Sequence, residues 1–291
     1  MDAPPALEHP GAFIKITHYL ESLGARVPRI IAEDVENGLV LLEDLGDQTM
    51  TQLLAQGSAE DALYELAVDA LFDLQHSYRN RQSDFDLPAY DLQTATAEVD
   101  LLTHWYLPAR LGRRLEQQEL DTYRALWRQM YQALPALEPV LVHRDFHVDN
   151  LLLVDHRCAM LDYQDALIGS PAYDLVSLLE DARRDIDPLL KQRLKQQWLC
   201  RYPEPDDAFE AHLQFWAAQR HCKVAGIFVR LWLRDGKPVY LEHLPRVMTL
   251  LANSLDHPPI NSLKVWLQQL LGDIRHDNFA GEASALISLT E

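Results

Sequence analysis

The spacing of apolar residues changes along the chain and separates a short mixed segment from a long helical one. From Phe13 to Leu23, apolar residues recur every three or four positions, which predicts an amphipathic helix closed by Gly24. Short apolar runs at 27–32 and 39–42 then predict two strands.

Beyond Gly46 the apolar spacing is mainly that of helices. Two long stripes at this spacing are Leu63, Leu66, Ala67, Ala70, Leu71 and Leu74, and Phe209, Leu213, Trp216, Val224, Ile227 and Leu231. The pattern predicts an α+β protein, with a small β-containing segment at 1–46 and a mostly helical segment at 47–291.

A polar loop lies among three further apolar segments in the middle of the chain. Leu141-Val142, 151–154 and 158–161 have the composition of short buried strands. Asp162 follows the third of them. The loop between the first two is His143-Arg144-Asp145-Phe146-His147-Val148-Asp149-Asn150. We expect this arrangement to direct oxygen-bearing side chains toward one cavity.

Three of these side chains meet the needs of phosphoryl transfer from ATP. That reaction uses one carboxylate to accept the proton of the attacking hydroxyl, and further oxygen ligands to hold magnesium. Asp145, Asn150 and Asp162 provide one such set. A lone Asp in a polar loop is more often a turn former, so it is the combination that favours a kinase.

The same segment also permits a metallohydrolase interpretation. His143, Asp145 and His147 alternate, so an extended segment would place them on one side as metal ligands. A downstream aspartate, Asp162 or Asp165, would complete the set. This interpretation leaves the amide at the end of the loop unexplained, so phosphoryl transfer is favoured.

Three motifs carry a likeness that covers nearly the whole chain. They are His143-Arg144-Asp145-Phe146-His147-Val148-Asp149-Asn150, Leu161-Asp162-Tyr163-Gln164-Asp165-Ala166 and Gly169-Ser170-Pro171-Ala172-Tyr173-Asp174-Leu175-Val176. They resemble the aminoglycoside phosphotransferase family of kinase-like enzymes, in which an Asp-aromatic-polar triplet replaces the Asp-Phe-Gly of protein kinases. The resemblance implies a protein-kinase-like fold with a small β-containing N-lobe and a mostly helical C-lobe, and ATP with Mg²⁺.

By that likeness Asp145 is the catalytic base, and Asn150 and Asp162 hold magnesium. His143 braces the catalytic loop, and Asp174 supports it from the start of the next helix. An Asp in the first turn of a helix also interacts favourably with the helix dipole, which is an alternative explanation for Asp174.

The second predicted strand runs into Glu43-Asp44-Leu45-Gly46, which matches the hinge between kinase lobes. Backbone groups there would meet the adenine edge, so we predict Glu43, Asp44 and Leu45 as nucleotide-binding residues. A plain acidic turn after a strand is the alternative, and the position of the segment before the helical remainder favours the hinge.

Two expected parts of a kinase cannot be found ahead of the hinge. Kinase-like enzymes cover the ATP phosphates with a glycine-bearing hairpin and contact them with a lysine from a strand. Lys15 is the only lysine before Glu43, and it lies in the predicted helix. The opening, 1–5, resembles the tail of the missing strand in related sugar kinases, so we expect an incomplete N-lobe with exposed apolar surface. A truncated enzyme and a kinase-derived binding protein without catalysis both stay open.

A narrower likeness appears in other segments. They are Gln219–Leu231, Arg234-Asp235-Gly236-Lys237, Tyr240-Leu241, Glu98–Leu102 and Trp105-Tyr106. They are similar to the cell-wall sugar kinases that phosphorylate the anomeric hydroxyl of N-acetylmuramate and N-acetylglucosamine. An amino-sugar acceptor in cell-wall recycling is therefore implied, and an aminoglycoside or another small molecule is the alternative.

We predict five substrate-binding residues: His147 and Asp149 in the loop, and Glu98, Arg220 and Lys223 outside it. The last two belong to a basic row on one side of a predicted helix, opposite much of its apolar stripe. The row is Arg220, Lys223, Arg230 and Arg234. It could bind a sugar carboxylate or phosphate, or it could be a solvated face paired with acidic neighbours.

Composition limits the partners. The 291 residues include 26 Lys and Arg against 44 Asp and Glu, and the formal net charge of −18 argues against nucleic acid and anionic membranes. Cys158, Cys200 and Cys222 form no Cys-x-x-Cys pair, which is typical of a reducing cytoplasm. The opening residues do not form a signal peptide, and no apolar run reaches about 18 residues. We expect a cytoplasmic monomer that binds a sugar and a nucleotide.

Overall fold

The computed structural model of the protein describes residues 10–81, 85–203, 205–275 and 283–290. The helices are α1 Pro10–Ser22, α2 Met50–Ala55, α3 Glu60–Asn80, α4 Leu92–Leu101, α5 Leu107–Leu111, α6 Gln117–Gln132, α7 Ala172–Leu179, α8 Pro188–Arg201, α9 Asp206–Leu233, α10 Leu244–Ser254, α11 Asn261–Leu271 and α12 Ala283–Thr290. The strands are β1 Ile30–Asp34, β2 Leu39–Leu42, β3 Val140–Val142, β4 Leu151–Val154, β5 Arg157–Met160 and β6 Leu167–Gly169.

Contacts divide the chain into two compact units. The first contains the described residues of Met1–Ala89, Glu138–Leu179 and Ile186–Pro203, and the second those of Tyr90–Leu137, Glu180–Asp185 and Glu204–Glu291. None of the boundaries between these units coincides with Gly46, so the division into lobes at that position stays a prediction.

Three antiparallel strand pairs lie in the first unit: β1 with β2, β3 with β6, and β4 with β5. β2 and β4 occupy the runs that the sequence predicts. β1 begins at Ile30, three residues later than predicted, because Pro28 has no N–H to donate to a ladder. β6 was not predicted, because Leu167–Gly169 is too short to show a period of its own.

The first unit is built around buried faces of α1 and α3. Leu63, Ala67, Leu71 and Leu74 are buried on α3, which confirms most of the predicted stripe. Lys15 lies exposed within α1. This helix position agrees with the prediction that Lys15 is not the strand lysine of a kinase.

Large apolar side chains are exposed on the β1–β2 hairpin. Ile31 and Leu41 keep 63% and 58% of their surface exposed, and Val35 and Leu39 are exposed as well. Exposed apolar surface was expected near the start of the chain. The N-lobe strands that would cover it stay a prediction.

The second unit is organised around α9, which is buried on nearly every side along its middle. A Cβ at Gly226 would lie 2.3 Å from the carbonyl carbon of Leu101, so only glycine allows this close approach. Tyr106 and Trp216 are also buried, as expected of aromatic residues at helical spacing. This burial explains part of the Gln219–Leu231 segment as packing.

Of the two interpretations of the basic row on α9, the solvated face does not hold for Arg220 and Lys223. Arg220 and Lys223 are only 6% and 9% exposed, so they do not belong to a solvated face. The hydrophobic stripe could not reveal this, because a central helix is covered on its polar side too.

Of the helices in the described ranges, none is both long and apolar enough to cross a membrane.

Candidate active site

The loop predicted to be catalytic begins where β3 ends, and a buried carboxylate fixes its first bend. Asp174, in the first turn of α7, is fully buried. Its Oδ2 accepts the backbone N–H of His143 at 2.6 Å, and its Oδ1 accepts that of Arg144 at 2.9 Å. Arg144 has a φ of +81°, a conformation that costs a residue with a side chain free energy. Asp174 therefore holds the chain in the strained bend that precedes Asp145.

The backbone carbonyl of Asp145 links the first half of the loop to its last residue, Asn150. This carbonyl oxygen accepts the N–H of His147 at 3.1 Å and the side-chain amide of Asn150 at 2.9 Å. The N–H of Asn150 in turn donates to the carbonyl of His147 at 2.9 Å. Because the nitrogen of the Asn150 side chain faces Asp145, its Oδ1 is the atom directed elsewhere and can coordinate a hard cation.

The β4–β5 hairpin brings the Asp162 segment beside the end of this loop. Leu151 pairs with Met160, and the N–H of Leu161 donates to the carbonyl of Asn150 at 2.9 Å. Asp162 comes next, with a φ of +61°, and its Oδ1 accepts the side-chain amide of Gln164 at 2.7 Å. Strand register therefore places the backbone before Asp162 beside Asn150, at the end of the loop.

His143 is a buried, neutral residue. Its side chain lies edge-on to the rings of Phe146 and Tyr163, with centroids 5.7 and 6.4 Å away. Burial lowers the pKa of His143 to about 4, and the attraction of Asp145 only partly opposes this. The imidazole therefore keeps one ring proton and carries no charge near pH 7, and its role as a brace of the loop stays a prediction.

Tyr163 connects the Asp162 turn with α1. Its hydroxyl shares a 3.0 Å hydrogen bond with Thr17, and its ring stacks on Phe13 with centroids 5.5 Å apart. Burial raises the pKa of Tyr163 to about 12. This contact joins segments 146 positions apart, so the aromatic residue after Asp162 was its only signal in the sequence.

The oxygen donors of this site suit a hard divalent cation, which favours the kinase interpretation over the metallohydrolase interpretation. Asn150 and Asp162 present oxygen atoms, the ligands that Mg²⁺ prefers. Within the described part of the chain, no three His, Cys, Asp or Glu side chains are grouped so that they could hold a metal ion. The alternating His143, Asp145 and His147 therefore lack support as a metal cluster.

The predicted hinge follows β2 directly, and its side chains are already engaged. Glu43 donates its N–H to the carbonyl of Arg29 at 2.8 Å, while its carboxylate binds the guanidinium groups of Arg26 and Arg29. Asp44 accepts the N–H of Gly46 at 2.8 Å and so shapes the turn. Among the described backbone bonds none uses the Glu43 carbonyl or the Leu45 N–H, so these two groups can meet an adenine edge.

The predicted substrate residues have different surroundings. In the first unit, His147 is buried, and Asp149 accepts the hydroxyl of Thr51 from α2. In the second unit, Lys223 donates to Glu98 at 2.9 Å. Glu98 also accepts the Tyr90 hydroxyl and the Gln219 amide; the four residues are buried together.

In this network Glu98 and Lys223 bind each other, and their contact with substrate stays a prediction. Each is the other's partner, and a buried charge needs such a partner because water is excluded. Arg220 is buried nearby on α9 and stays a predicted substrate residue. Residues 98 and 223 are 125 positions apart, so no local pattern could show the pairing.

Comparison with known proteins adds the family. Residues 1–211 match the model of the family described as "Phosphotransferase enzyme family". The chain belongs to this family. It is 37% identical over 267 residues to an N-acetylmuramate/N-acetylglucosamine kinase of Pseudomonas aeruginosa, which covers 89% of this chain and 77% of that protein.

A second relative of this phosphotransferase has the same name, and a solved structure has a similar fold. A Neisseria meningitidis protein, also named N-acetylmuramate/N-acetylglucosamine kinase, is 34% identical over 285 residues, with 94% of this chain and 83% of that protein covered. Among solved structures, the gentamicin–APH(2")-IIa complex is 15% identical with a TM-score of 0.55, covering 86% of this chain and 81% of that one. The structural likeness confirms the kinase-like α+β fold, and the family membership confirms a phosphotransferase.

Proposed function

We propose that this phosphotransferase moves the γ-phosphoryl group of ATP to the anomeric hydroxyl of N-acetylmuramate or N-acetylglucosamine. The observation that carries the chemistry is the closed loop in which the Asn150 amide binds the Asp145 carbonyl. It presents one carboxylate and two oxygen ligands from adjacent segments. The names of relatives that are more than 30% identical over nine-tenths of the chain support the acceptor.

Each residue of the site has a role in this proposal. Asp145 accepts the proton of the sugar hydroxyl as it attacks, and Asn150 and Asp162 hold Mg²⁺. Magnesium, when bound, neutralises charge on the phosphate oxygens. His143 and Asp174 keep the loop in place, so that Asp145 is oriented before the acceptor arrives.

The nucleotide binds at the hinge in this proposal. The Glu43 carbonyl accepts from the adenine edge, and the Leu45 N–H donates to it. Asp44 contributes by holding the turn through Gly46. The carboxylate of Glu43 does not contact the base, because two arginines already bind it.

The acceptor side rests on fewer contacts. His147 and Asp149 lie in the loop and can bind sugar hydroxyls. Arg220 stays a separate candidate for binding a carboxylate. The lactyl group that distinguishes N-acetylmuramate from N-acetylglucosamine carries such a carboxylate. A cytoplasmic location also stays a proposal, supported by the free thiols of Cys158, Cys200 and Cys222.

An aminoglycoside acceptor is the second candidate, favoured by the net charge of −18, which attracts a polycation. A phosphate-transfer screen separates the two. The chain and its Asp145→Asn variant are incubated with Mg·ATP and either amino sugars or kanamycin-like antibiotics, and ADP release is followed. We expect a higher kcat/KM for the amino sugars, with all transfer lost in the variant. A higher kcat/KM for the antibiotics would refute the sugar proposal.

A further inference from the structure

Two arginines bind the carboxylate of Glu43 at the start of the hinge, and they are not equivalent. Arg26 makes a two-pronged contact, from Nη1 to Oε2 at 2.9 Å and from Nη2 to Oε1 at 2.8 Å. Arg29 also contacts both oxygens, from Nε to Oε2 at 3.1 Å and from Nη2 to Oε1 at a longer 3.4 Å, and its backbone N–H donates to Oε2 at 3.3 Å. The side chains of Arg26 and Glu43 are 16% and 19% exposed, whereas that of Arg29 is 73% exposed. The Arg26 pair is therefore the shielded one, where a charged contact is stronger.

The backbone of Arg26 contacts a different part of the site. Its carbonyl accepts the N–H of Met160 at 2.8 Å, and it forms a parallel bridge with Ala159. Met160 is the last residue of β5, and Leu161 after it donates to Asn150. Asp162 follows directly. The side chain of Arg26 thus contacts the hinge. Its backbone contacts β5, the strand that precedes the predicted metal ligand Asp162.

We propose that Arg26 is a positioning residue for the nucleotide. It sets the distance between the hinge backbone that binds adenine and the Asn150 and Asp162 oxygens that hold the metal at the phosphates. The inference rests on the proposed function, because it requires Mg·ATP to span these two places. A ligand bound at both ends is sensitive to their separation, whereas the sugar is not attached to the hinge.

The Glu43 carboxylate is ionised near neutral pH. Hydrogen bonds from Arg26, and then from Arg29, lower the pKa of Glu43 to about 2. Near neutral pH the two-pronged contact is therefore complete. Lysine cannot reproduce it, because an ammonium group is a single point donor and lacks the planar fork of a guanidinium.

The matched control is built into the chain. Arg29→Ala removes an arginine from the same carboxylate, but it is the exposed one, with no backbone bond to β5 among the described residues. If the contact were only an ordinary surface ion pair, both substitutions would have small and similar effects. If Arg26 positions the hinge, only its loss changes nucleotide binding.

The experiment measures nucleotide binding separately from turnover. The dissociation constant of a non-hydrolysable Mg·ATP analogue is determined by calorimetry for the full chain and for Arg26→Ala, Arg26→Lys and Arg29→Ala. The KM values for ATP and sugar are measured in parallel. We expect Arg26→Ala to weaken nucleotide binding about tenfold, or about 1.4 kcal/mol, with Arg26→Lys recovering less than half of the loss. Arg29→Ala should stay within about twofold, and the sugar KM should not change by more than that in any variant.

The outcomes are separable. Equal nucleotide affinity in the Arg26 variants and in the parent chain would overturn the inference, as would equal losses for Arg26→Ala and Arg29→Ala. If Arg26→Ala does not fold, Arg26→Lys carries the test, because it keeps similar volume and should still lose more than half of about 1.4 kcal/mol, which is about threefold in nucleotide affinity. A parent chain that binds nucleotide but phosphorylates no amino sugar would refute only the proposed acceptor, and the Arg26 comparison would still be decided by calorimetry. A parent chain that binds no nucleotide would overturn the inference.

Discussion

Asp174→Asn should loosen the catalytic loop at a defined place. The carboxylate accepts two backbone N–H groups, from His143 and Arg144, in a fully buried position. Asparagine has nearly the same shape but only one acceptor oxygen, so one buried N–H would face an NH₂ group. Hydrogen bonds to charged groups contribute about 1.5–3 kcal/mol, and a buried unpaired donor costs about 1–3 kcal/mol. We therefore expect a local loss of about 3 kcal/mol.

Two measurements report on this loss. Amide hydrogen exchange at His143 and Arg144 should become about 100-fold faster, because about 1.4 kcal/mol corresponds to a factor of ten. The value of kcat should also fall about 100-fold, since a misplacement of about 1 Å has an effect of this size. Asp73→Asn is the control, because that carboxylate is 76% exposed on α3. Unchanged exchange at both amides, with kcat within about threefold of the parent, would refute the role of Asp174.

Three other substitutions test separate parts of the account. Asp145→Asn should abolish turnover and leave nucleotide binding intact; turnover within about tenfold of the parent, about 1.4 kcal/mol of barrier, would contradict its role as the base. His143→Gln should change the pH dependence of stability: the unfolded imidazole binds a proton below about pH 6.5 and the folded one only below about 4. The parent's unfolding free energy should therefore fall by about 3 kcal/mol as pH drops through this window, and equal slopes in parent and variant would be evidence against the buried neutral ring. Lys223→Met should destabilise by about 3–5 kcal/mol in urea unfolding, with much of it recovered by adding Glu98→Gln. An unchanged stability with a raised sugar KM would instead support contact between Lys223 and the substrate.

Local patterns predicted much of this site. Strand-like runs placed β2 and β4 correctly, and the register of β4 with β5 explains why Asn150 and Asp162 lie near each other. The position of Asp174 in the first turn of α7 was also visible from the sequence. Its contacts with His143 and Arg144 were not, because a helix-dipole role would give the same pattern.

Contacts between distant segments could not be predicted. The charge of Lys223 suggested contact with solvent or substrate. Its partner in the fold is Glu98, which lies 125 positions away in the sequence. Arg26 showed no motif at all, although its side chain and backbone reach two parts of the site. In both cases the partner is set by the fold, and a chain pattern with a period of two or 3.6 residues contains no information about it.

The position of the transferred phosphate tests the central claim most directly. N-acetylmuramate is incubated with the chain and Mg·ATP, and the product is examined by proton NMR with and without phosphorus decoupling. Our account predicts that the anomeric proton gains a coupling to phosphorus, and that Asp145→Asn gives no product. A phosphate on any other hydroxyl of the sugar, or transfer to kanamycin-like acceptors without transfer to the amino sugar, would contradict it.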